Sequence, residues 1–122
     1  MDKPLGSLGA LLGGLAVAAG AFGAHGLRGR LSSEMLSAFE TGARYQMYHA
    51  LAVLAVAVLL ERGATGAVRA AGWCLVGGTV VFSGSLYLLA LTGTTWWGAV
   101  TPLGGVALLA GWGMLVWGLW RR

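Results

Sequence analysis

The sequence predicts an all-α membrane protein, a four-transmembrane-helix bundle, and three observations predict it. Of its 122 residues, 57% are hydrophobic and only 10% are charged, against about 25% charged in a soluble domain. The apolar residues run in stretches long enough to cross a bilayer, which takes about 20 in succession. The 22 glycines follow no triplet period but sit inside those apolar runs, where glycine packs membrane helices. Eight basic and four acidic side chains cannot solvate the surface of a globule of this size. Disorder is excluded too, because it needs low hydrophobicity and high charge. Residues 1–122 read as a single four-span membrane domain.

The first span covers about residues 5–25, since Leu5 to Ala24 carries no charge. The opening MDKPLGSLGA lacks a compact basic region and a small-residue cleavage site, so this run is expected to be retained rather than removed as a signal peptide. Between His25 and Ala43, Ser32 or Ser33 can cap a short helix that places Leu31, Met35, Leu36 and Phe39 on one side. That pattern predicts a short interfacial amphipathic helix, broken near Gly42. The alternative is an extension of the second span into water.

The second span covers about 43–60. Arg44 and Glu61 bracket an uncharged run from Tyr45 to Leu60, and the long Arg44 stem can snorkel to the interface. From Ala70 to Trp120 there is no charge at all. As one helix this stretch would be about 75 Å long, far more than a bilayer. It must fold back, and Thr92-Gly93-Thr94-Thr95 is the turn signal. The third span is then about 70–91. The fourth is about 101–120, with Thr101 as its cap and Pro102 at the first helical position.

With four spans, Lys3, Arg62, Arg69, Arg121 and Arg122 share one side and Arg28, Arg30 and Arg44 the other. The positive-inside rule then places both termini in the cytoplasm. Trp73, Trp117 and Trp120 fall at the cytoplasmic interface and Trp96 and Trp97 at the opposite one. Trp112 lies too deep for an interfacial belt. The basic excess matches lipid headgroups rather than nucleic acid. The lone Cys74 permits no intrachain disulfide and reads as a small packing residue.

In the first span Gly6, Gly9, Gly13, Ala16, Gly20 and Gly23 form a heptad seam of small residues. The fourth repeats the device with Gly104, Ala107, Gly111, Met114 and Gly118. Membrane helices associate by close backbone approach at such residues, either inside the bundle or across a homo-oligomer or larger membrane complex. The inverted repeat of many transporters is absent.

Polar residues crowd one region. Glu40 and Arg44 are four apart, in the order that favours a helical ion pair. Tyr45, Gln46 and His49 share a face, and Tyr48 joins Arg44 on another. His25 lies on the same membrane side, and the third span adds Ser83, Ser85 and Tyr87. An ionisable residue at the depth of His49 normally faces the bundle and has a partner, here expected among Tyr45, Tyr87, Ser83 and Ser85. The cluster could tie helices together, handle protons or ions in an oligomeric minimal transporter or channel, or bind a metal or haem in a redox protein. No nucleophile–base set, phosphate loop or paired membrane carboxylate appears. The expectation is a non-enzymatic accessory or interaction subunit with no catalytic residue, no metal and no cofactor, whose surroundings are the lipid bilayer.

Gly20-Ala21-Phe22-Gly23-Ala24-His25-Gly26-Leu27, then Phe39-Glu40-Thr41-Gly42 and Arg44-Tyr45-Gln46-Met47-Tyr48-His49-Ala50-Leu51, then Phe82-Ser83-Gly84-Ser85-Leu86-Tyr87-Leu88, and last Thr101-Pro102-Leu103-Gly104-Gly105 together resemble the YgdD-like family. These are small bacterial inner-membrane proteins grouped as domain of unknown function 423, with the mitochondrial transmembrane protein 256 as a eukaryotic relative. The resemblance covers nearly the whole chain, with the motifs in the same order. It implies four spans and no known activity.

Overall fold

The computed structural model describes residues 2–64 and 66–122. Among these residues the chain forms four long helices: α1 (Lys3–Ala21), α2 (Ser33–Glu61), α3 (Ala67–Thr92) and α4 (Trp96–Trp120). Each is long and apolar enough to cross a membrane. The Asp2 carboxylate caps α1, accepting from the Leu5 N–H at 3.1 Å, with Pro4 in the first turn where its missing N–H is harmless. At its far end α1 widens into a π-helical turn, Phe22–Gly26, closed by the Leu27 N–H on the Phe22 carbonyl. Gly93 ends α3 in the left-handed conformation with φ +70°, as the turn signal predicts.

The separate interfacial helix is not formed. Ser32 caps α2, its hydroxyl accepting from the Met35 N–H at 3.1 Å, and α2 then runs unbroken through Gly42 to Glu61. The expected break failed because Gly42 serves packing, not termination: a Cβ there would lie 2.9 Å from Tyr87 Cε1 and 3.3 Å from Leu86 Cβ. The apolar stripe of Leu31, Met35, Leu36 and Phe39 does not lie on a lipid surface either. It packs against Leu27, Ala90, Ala19 and Tyr87.

Helix α4 also starts earlier than expected, at Trp96 rather than Thr101. Pro102 therefore sits in the second turn, where it deprives one early carbonyl of its N–H without ending the helix. Thr101 does not cap; its hydroxyl lies 3.2 Å from the Trp97 carbonyl, to which it can donate.

The helices pack in chain order, α1 on α2, α2 on α3 and α3 on α4, and among the described residues α1 and α4 do not meet. An apolar core built on Leu5, Val53, Val56, Val68, Leu75 and Leu108 fills the end that carries both termini. A smaller cluster around Leu27, Phe39 and Ala90 fills the far end. Between them, in chain position on α2 and α3, lie the buried polar residues Gln46, His49, Thr79, Ser83 and Ser85.

Both glycine seams face inward for most of their length. A Cβ on Gly9 would lie 2.9 Å from Leu54 Cγ, one on Gly13 3.7 Å from Ala50 Cβ, and one on Gly23 3.0 Å from Phe39 Cδ1. Gly6 and Ala16 are buried, whereas Gly20 has open space beside it. On α4, a Cβ on Gly104 would overlap the Phe82 backbone, and one on Gly111 would come 2.8 Å from Leu75 Cδ2. Ala107 is half-buried. Met114 packs against the core of the termini end. Close approach at small residues is thus what joins α1 to α2 and α4 to α3.

Candidate functional site

The polar layer is assembled from α2 outward. Gln46, 5% exposed, uses both ends of its amide. Its Nε2 donates to the Leu12 carbonyl of α1 at 2.8 Å, and its Oε1 accepts from the Tyr87 hydroxyl of α3 at 2.6 Å. One side chain so joins three helices. Ser83 on α3 donates to the Gly42 carbonyl at 2.7 Å, across the contact that Gly42 keeps close. The Ser85 hydroxyl lies 2.6 Å from that of Thr101 on α4 and 2.8 Å from its own-helix Phe82 carbonyl.

His49 is 6% exposed. Its Nδ1 lies 2.6 Å from the Tyr45 carbonyl and its Nε2 lies 3.0 Å from Trp112 Nε1. An indole N–H is a donor only and a carbonyl an acceptor only. The two contacts therefore assign one form of the ring: neutral, with the proton on Nδ1 donated to Tyr45 and the Nε2 lone pair accepting from Trp112. A ring proton on Nε2 would point at another N–H. The Tyr45 ring stacks on His49 with centroids 6.2 Å apart and leans on Phe82 at 5.1 Å. Beside them opens a groove of about 540 Å³ between α2, α3 and α4, walled by Tyr45, Tyr48, Phe82 and Trp112.

The remaining predicted residues stand apart. His25 is exposed in the π-helical turn. Glu40 and Arg44 are both exposed and form no ion pair; Arg44 instead donates to Thr41 Oγ1 at 3.3 Å. Tyr48 is exposed at 55%, and its ring lies tilted against that of Tyr45 with centroids 5.5 Å apart. Among the described residues, no three of His, Cys, Asp and Glu come together as a metal site would need. Of the partners expected for His49, Tyr45 supplies its backbone carbonyl, while Tyr87, Ser83 and Ser85 are committed to other groups.

Three contributors escaped the sequence. Trp112 carried a signal, since a tryptophan deep in an apolar helix needs a partner for its N–H. Thr101 was assigned to capping. Thr79 is 1% exposed, and its hydroxyl has no hydrogen-bond partner among the described residues.

Comparison with known proteins finds relatives named as membrane proteins. A family model described as "Protein of unknown function (DUF423)" matches residues 19–105. The UPF0382 membrane protein YwdK of Bacillus subtilis is 49% identical over 110 residues, 89% of each chain. The UPF0382 membrane protein SSP2132 of Staphylococcus saprophyticus is 50% identical over 115 residues, covering 93% of this chain and 94% of the relative. No solved structure matches. The motifs that carry the resemblance in the sequence, Gly42 and Gln46 to Tyr87 and Thr101, are also those that build the polar layer, and the chain belongs to the DUF423 family of UPF0382 membrane proteins.

Proposed function

We propose that this chain is a non-enzymatic subunit of the bacterial cytoplasmic membrane, with both termini in the cytoplasm, whose polar layer holds four helices in register and presents their outer faces to lipid or to a partner. The observation that carries this reading is that Gln46 and His49 are both tied within the bundle. Each of the two residues most suited to chemistry has its polar side-chain atoms bonded within the bundle, to groups from α1, α2, α3 and α4. Neither imidazole nitrogen has a lone pair left for a metal or a mobile proton.

Purified protein in liposomes with an imposed pH gradient tests it. The account expects proton flux at the level of empty liposomes for the wild type and for His49→Gln alike. A flux through the wild type that His49→Gln abolishes, with the helices intact by circular dichroism, would make the cluster a proton path and end this reading.

A further inference from the structure

A second concavity, independent of the polar layer, lies at the end that carries both termini. It encloses about 440 Å³. Its floor is made of small residues: Gly63 and Ala64 from the α2–α3 turn, Ala67 from the first turn of α3 and Gly118 near the end of α4. Gly118 lets α4 close on α3, since a Cβ there would lie 2.7 Å from Val68 Cγ2. Glycine and alanine at these four positions carry no side chain long enough to fill the space above.

The rim carries Arg121 and Arg122. Arg122 donates through Nη2 to the Arg62 carbonyl at 3.1 Å, and the Arg121 guanidinium lies 5.2 Å from the centroid of the Trp117 ring. Both side chains are thereby oriented, yet most of the five donors of each guanidinium stay unused. Among the described residues neither forms an ion pair with a carboxylate. Asp2 is committed to Arg69 and to the α1 cap, and Glu61 is also engaged. Two oriented cations with no carboxylate partner among the described residues, over a floor of small residues, complement a phosphate group.

The location selects the source of that phosphate. The two arginines follow directly on Trp120, the last helical residue of a membrane span, and Trp120 is 84% exposed. Exposed tryptophans at the end of a span sit at headgroup depth, where anionic lipids concentrate. We propose that this cavity binds an anionic phospholipid, its phosphate held by the guanidinium groups of Arg121 and Arg122.

Native mass spectrometry of the full chain in detergent, titrated with dioleoylphosphatidylglycerol, tests this. Replacing both arginines, Arg121→Gln with Arg122→Gln, is expected to weaken lipid binding about thirtyfold, in keeping with the share of membrane attraction that each basic residue carries. Arg28→Gln with Arg30→Gln removes the same charge from the exposed turn at the far end and is expected to leave the affinity unchanged. In a third arm, inorganic phosphate is expected not to displace the lipid. Undiminished binding by the Arg121/Arg122 variant, an equal loss in the Arg28/Arg30 variant, or displacement by inorganic phosphate would each overturn the proposal.

Discussion

The indole N–H of Trp112 donates to Nε2 of His49 across 3.0 Å, joining α4 to α2, two helices whose backbones do not approach each other. The side chains reach past α3 to make a contact that the backbone packing does not provide. In a bilayer no water replaces such a bond, although measured values inside membranes still average below about 1 kcal/mol. Trp112→Phe and His49→Phe should each lower thermal stability in detergent. Combined, they should lose less than the sum, with a coupling of about 1 kcal/mol. Strict additivity would mean that the two rings merely sit near each other.

Thr79 gives the opposite sign. Its buried hydroxyl has no partner among the described residues, and an unsatisfied buried hydroxyl costs about 1–3 kcal/mol. Valine has the same shape and the same β-branching, so Thr79→Val should raise the melting temperature or leave it unchanged. A clear loss of stability would show that the hydroxyl is bonded in the membrane.

The glycines of α4 divide into two kinds. Gly104 meets the Phe82 backbone, which cannot turn aside as a flexible side chain could, while Gly113 has nothing within 4 Å. Gly104→Ala should cost about 1–3 kcal/mol, the usual penalty of overpacking. Gly113→Ala should be neutral or stabilising by up to about 1 kcal/mol from helix propensity alone. Similar losses at both positions would place Gly113 in an interface between copies of the chain.

The proposed orientation rests on the five-to-three bias in basic residues. Thr94 is exposed in the α3–α4 turn. With Cys74 replaced by serine, Thr94→Cys should react with an impermeant thiol reagent in cells whose outer face is accessible. Labelling only after permeabilisation would invert the topology.

Four spans were legible because charge spacing and bilayer thickness leave few choices for a chain with so few charges. What misled was local punctuation. Gly42 and Thr101-Pro102 carry the residue types that break or begin helices, but in an apolar chain the need to keep backbone groups bonded overrides such signals. Gly42 instead brings α2 against Tyr87, and Pro102 is absorbed near the start of α4. The Glu40–Arg44 pair was plausible by spacing, yet both side chains are exposed, where such pairs contribute little. Depth and spacing single out Gln46, His49, Ser83, Ser85 and Tyr87, but they also draw in His25, Glu40, Arg44 and Tyr48, which are exposed, and they miss Thr79, Thr101 and Trp112. The pairings could not be read that way, because Gln46 takes the Leu12 carbonyl and His49 takes Trp112, and both choices depend on how α1 and α4 rotate.

The account rests on His49 being a closed structural tie, and the position of its ring proton tests that most directly. Nitrogen-15 NMR of histidine-labelled protein in lipid bilayers resolves the two ring nitrogens, with His25→Asn leaving His49 as the single signal. The account predicts a neutral ring protonated at Nδ1, with Nε2 hydrogen-bonded and its resonance altered by Trp112→Phe. A ring protonated at Nε2, or one indifferent to Trp112, would contradict it.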